Sequence, residues 1–64
     1  MDVRRAVSLA HKHFHAATKA ERRCYVMEVF GCAGEYANGL CRRFGLDPDK
    51  VLTPADPVEW GRGR

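Results

Sequence analysis

Apolar side chains recur through positions 24–44 at a helical beat. With Cys24 at zero and about 100° per residue, Val26, Val29, Phe30, Ala33, Ala37, Leu40, Cys41 and Phe44 fall between roughly 140° and 260°. Tyr25 and Tyr36 stand on one shoulder of that arc and Met27 on the other. Glu28, Glu35, Asn38 and Arg42 fall on the opposite side. The phase survives Gly31, Gly34 and Gly39, so the pattern predicts one long helix over about 19–44 with a wide apolar face. A break near Gly31–Gly34 is the alternative.

Ahead of it, Val3, Val7, Ala10, Phe14 and Ala17 recur at spacings of three and four, widened by Ala6 and Leu9. With Asp2 as N-cap, they predict a first helix over about 3–16. Thr18-Lys19-Ala20-Glu21 reads as a capping box that starts the second helix. Gly45 in a left-handed position, with Leu46 packing back, ends it at Phe44. Arg42 and Arg43 complement the negative end of its dipole. Asp47-Pro48 predicts a short third helix carrying Val51 and Leu52. Thr53-Pro54 and Asp56-Pro57 force extended or turned backbone up to Val58 and Trp60.

The expected fold is therefore all-α: a helical hairpin, a short C-terminal helix and an irregular tail. It forms one domain over 1–60, with 61–64 as a flexible tail. A helix over 19–44 measures about 39 Å and the first helix about 21 Å, so half of the long apolar face lacks cover. A 64-residue chain buries only about 60% of its unfolded surface. Together these predict a homodimer with the long helices paired across a two-fold axis.

Charge changes the picture next. The net +3 is uneven: residues 1–23 carry +4, residues 24–41 carry −2 and residues 42–64 carry +1. A basic N-terminal third draws nucleic acid or an acidic protein surface. An odd count of three cysteines, Cys24, Cys32 and Cys41, fits reduced thiols rather than a disulfide framework. No signal-peptide core and no bilayer-spanning apolar run stand out, so a cytoplasmic, non-membrane chain is expected.

Candidate chemistry is thin. His11 and His15 lie one helical turn apart, but His13 points away and the cysteines scatter around the helix, so no metal site is predicted. Cys24, after Arg22 and Arg23, is the best-placed thiol, yet no base is fixed beside it. No triad, phosphate loop or carboxylate pair can be assembled. The chain is expected to be no enzyme and to need no cofactor.

The favoured function is a protein-binding module that inhibits or redirects a larger target with an acidic surface. Tyr25, Val29, Tyr36 and Leu40 would form the contact edge, and Arg4, Arg5, Lys12, Arg22 and Arg23 would steer the target. In type alone, small basic helical chains of this kind look like phage or mobile-element accessory proteins; no motif carries the likeness. The alternative is a helix-turn-helix DNA-binding regulator. In that case the glycines mark a turn, and Asn38, Arg42 and Arg43 on the second helix read DNA. Against this, Glu35 shares that face and Gly39 softens it.

Overall fold

A computed structural model describes residues 2–15 and 17–62. Among them, three α-helices and a 3₁₀ turn surround a two-stranded antiparallel sheet: α1 (Val3–Ser8), the 3₁₀ turn Ala10–His13, β1 (Ala20–Glu21), α2 (Arg22–Phe30), α3 (Gly34–Arg43) and β2 (Val51–Leu52). The all-α expectation is thus corrected. The strands pair Ala20 with Leu52 and Glu21 with Val51.

α1 starts as expected, with the Asp2 carboxylate accepting from the Arg5 N–H (3.2 Å). It ends at Ser8, not near position 16; Ala16 itself lies outside the described residues. Tertiary contacts tighten the chain there into the 3₁₀ turn. His11 Nε2 donates to the Asp56 carbonyl (3.1 Å) and Lys12 Nζ to the Pro54 carbonyl (2.8 Å). Phe14, in extended backbone, lays its ring 5.1 Å from that of Tyr25.

The capping box at Thr18–Glu21 does not form, and α2 begins at Arg22 without a side-chain cap. Its leading N–H groups find distant carbonyls instead. Arg22 N–H donates to Lys50 (2.8 Å) and Arg23 N–H to Pro48 (3.0 Å). The same bonds explain why the short helix predicted after Asp47 is absent. The Pro48 and Lys50 carbonyls point at α2 and not along a helix axis of their own. The segment turns through an Asx contact, Asp49 N–H to the Asp47 carboxylate (2.9 Å), and enters β2.

The long helix is broken. Gly31 closes α2 at φ 63° and ψ 38°, a left-handed conformation that disfavours any residue with a Cβ. The Met27 carbonyl accepts from both Gly31 and Cys32. Extended Ala33 then leads into α3. An unbroken helix of about 39 Å would also outrun the longest dimension of the molecule, 30 Å. α3 ends with the expected pair of bonds, Gly45 N–H to Arg42 (3.0 Å) and Leu46 N–H to Cys41 (2.9 Å).

The two helices pack on each other, and their inner faces join the rest of one core. That core holds Val7 and Ala10, Tyr25 and Val26, Ala37, Leu40, Cys41 and Phe44, closed by Leu46 and Leu52. The rod from which the homodimer was argued is broken. The apolar arc is split between two helices, and residues 44–60 cover much of it. Val29 and Ala33, inside the predicted arc, face outward.

Candidate functional site

Residues 53–62 form a strap across α1, the 3₁₀ turn and the end of α3. Their turn is fixed by the Asp56 carboxylate accepting from Thr53 N–H (2.7 Å). Further along, Ser8 Oγ donates to the Trp60 carbonyl (3.2 Å), and Arg62 N–H donates to the Phe44 carbonyl (2.6 Å). Of positions 61–64, expected as a flexible tail, Gly61 and Arg62 are docked; positions 63–64 lie outside the described residues.

Arg22 is the deepest charge, only 4% exposed at the start of α2. Its guanidinium donates to the Asp47 carbonyl (2.9 Å) and pairs with Glu59 of the strap. Glu59 also accepts from Lys50 Nζ (2.9 Å). The Lys50 and Arg22 hydrogen bonds hold the Glu59 carboxyl below the ordinary glutamate value. These groups line an open pocket of about 320 Å³ whose charges already satisfy one another. It is a strap anchor.

Arg23 is engaged too. It pairs with Asp49 and Glu21 and donates to the Asn38 Oδ1 (2.9 Å), tying α2 to α3 and to the loop before β2. An asparagine reads adenine with its carbonyl and amide together. With its oxygen taken by Arg23, Asn38 acts as a brace between helices.

Two residues named for a contact edge lie inside. Tyr25 is buried, donating its hydroxyl to the Leu52 carbonyl (2.7 Å), and burial pushes its phenol pKa up. Leu40 is buried against α2. Val29 (39% exposed) and Tyr36 (62% exposed) remain outside, on different helices. Of the basic set, Arg4 is half-buried, Lys12 is spent on the strap and Arg5 is exposed.

The outward face of α3 is better defined. Glu35, Tyr36, Gly39, Arg42 and Arg43 are all exposed on it, and at Gly39 nothing lies within 4 Å of where a Cβ would stand. Arg43 lays its guanidinium 5.7 Å from the Phe44 ring centre. Two strap residues that sequence reasoning left unassigned stand near this end of the helix. Trp60 is 42% exposed beneath the Arg5 guanidinium (5.7 Å), and Arg62 lies beside Gly45. The glycine between Trp60 and Arg62 was the available signal of a built turn.

Thiol and imidazole chemistry is dispersed. Cys24 is exposed, Cys32 half-buried and Cys41 buried, with burial raising the Cys41 pKa. The His11 Nε2 must carry a proton to donate to the Asp56 carbonyl, which leaves that nitrogen no lone pair for a metal. Among the described residues no group of three or more His, Cys, Asp or Glu side chains is placed to hold a metal ion. No described helix is long and apolar enough to cross a membrane. No family model, curated protein or solved structure matches this chain.

Proposed function

We propose that the chain is a DNA-binding module of helix-turn-helix type, with α3 as the helix that enters the major groove. The observation that carries the reading is the three-residue turn, opened by Gly31, that packs α2 against α3 and leaves α3's polar face uncovered. α3, about 10–12 Å across with its side chains, fits a groove about 12 Å wide. On its open face, Arg42 and Arg43 supply charge for phosphates or guanine edges. Glu35, in the first turn of the same face, still repels phosphates, and its one favourable contact in a groove is as acceptor for a cytosine amine. The open space at Gly39 lets a strand approach the helix backbone.

The test is a binding titration of a fluorescent mixed-sequence duplex over salt concentration. Wild type should bind more weakly as salt rises, with a log–log slope of about −0.9 per phosphate neutralised. R42Q/R43Q should bind several-fold more weakly. Absent binding at low salt, or binding indifferent to salt, overturns the proposal.

A protein-binding module that inhibits or redirects an acidic target is the second reading. Exposed Val29, Tyr36 and Trp60 favour it, as half-apolar groups suited to partner contact. It predicts capture of an acidic protein by a chain that ignores duplex DNA.

A further inference from the structure

Resting on the DNA-binding reading, we propose that the end of the strap makes a second grip on the DNA backbone. Arg62 and Arg5 each take a phosphate beside the groove that α3 enters. Nothing in the groove-reading helix itself requires such a contact.

The strap end is built to a fixed position. Gly61 sits at φ 63°, and a methyl group there would collide with the Phe44 carbonyl oxygen and the Leu46 side chain. Only glycine lets the chain lie that close to the end of α3. Arg62 N–H then caps the Phe44 carbonyl, and its guanidinium stem lies against Gly45 (Nε 3.8 Å from the Cβ position). On the other side, Ser8 holds the Trp60 carbonyl and Arg5 covers the Trp60 ring. Three consecutive residues thus connect the Arg5 side of α1 to the Arg42–Arg43 end of α3.

Charge pairing separates these arginines, and the half-buried Arg4 with them, from Arg22 and Arg23. Arg22, Arg23 and Lys50 each contact a carboxylate. Among the described residues, Arg5, Arg42, Arg43 and Arg62 have none within 4 Å. A guanidinium stacked on an aromatic face keeps its N–H edge free for two-point contact with a phosphate.

The helix dipole is the obvious competing use for cations here, and its size decides against it. A helix C-terminus carries about half a negative charge. Arg42, Arg43 and Arg62 bring three positive charges to that end, so about two and a half remain unanswered. A phosphate strand is the partner that fits, because its charges repeat along a line. In homeodomains the C-terminal end of the groove-reading helix meets the backbone in this way.

The experiment compares the salt dependence of duplex binding for wild type, R62Q, R5Q/R62Q and R5K/R62K. Far-ultraviolet circular dichroism and thermal unfolding check that each variant keeps the wild-type fold. R62Q should make the log–log slope less negative by about 0.9, and R5Q/R62Q by about 1.8. The losses should be equal on unrelated sequences, and R5K/R62K should keep the wild-type slope. If wild type binds DNA but R5Q/R62Q has an unchanged slope, the strap grip is wrong and the role of α3 stands. If wild type fails to bind duplex at any salt, both proposals fall. Preference for poly-glutamate over duplex would overturn them in favour of an acidic protein partner.

Discussion

Gly31→Ala adds one methyl group at the turn between α2 and α3, where nothing lies within 4 Å of the new Cβ. Space is therefore no obstacle, and the cost is backbone alone. Holding an L-residue in the left-handed region costs roughly 1–2 kcal/mol. Reduced freedom of the unfolded chain returns about 0.4–1 kcal/mol. The net expectation is a loss of about 1 kcal/mol, a melting-temperature drop of about 4–8 °C for a domain this small. Gly39→Ala is the matched control. It too has open space, but it lies within α3, so the same methyl should stabilise by about 0.5–1 kcal/mol. Urea and thermal unfolding followed by far-ultraviolet circular dichroism reads both. An unbroken helix over 19–44 would make both substitutions stabilising. A Gly31→Ala variant that melts higher than wild type would refute the turn and, with it, the helix-turn-helix argument.

Two further expectations concern charge and thiols. The Glu59 carboxyl is held below its ordinary value of 4.5, so its contribution is present above that value and is lost as pH falls through the depressed one. Acid titration of stability should show this loss on the acid side of 4.5, and E59Q should flatten the profile there. Alkylation of the native protein with iodoacetamide, read by mass spectrometry, should modify exposed Cys24 first. Cys41, buried and with a raised pKa, should react only at the rate of unfolding.

Local signals were legible where their partners are neighbours in the chain. Asp2 caps α1 three residues away, and Gly45–Leu46 closes α3 onto carbonyls three and five residues back. The inward face of α3 follows the same logic: Ala37, Leu40, Cys41 and Phe44 recur at helical spacing and are buried. The break at Gly31 was visible only as an alternative. Periodicity records the phase of a face but not the direction of the axis. Two short helices packed on a common core bury most of the positions that one long helix would turn to a partner, with Val29 and Ala33 left outside. Asn38 and the arginines illustrate a different gap. Arg22, Arg23, Arg42 and Arg43 look alike as residues, yet the first two are paired inside and the last two are open.

Sequence by itself determined that the chain is small, basic and mostly helical, where its apolar faces lie and how α1 begins and α3 ends. Those features depend on contacts within one or two turns of backbone. Tertiary structure alone decided that α2 is capped by carbonyls from the 48–50 loop, that the Thr18 capping box gives way to a strand, and that Arg22 is buried. It also decided that Trp60–Arg62 is a docked strap. Each of these rests on hydrogen-bonding groups about 18 to 52 residues apart, and buried donors must find acceptors wherever the fold brings them. No local pattern carries that information. The candidate surface depends on such pairings at the strap, where the Ser8–Trp60 and Arg62–Phe44 bonds seat Arg62 beside Gly45 and Trp60 beneath Arg5.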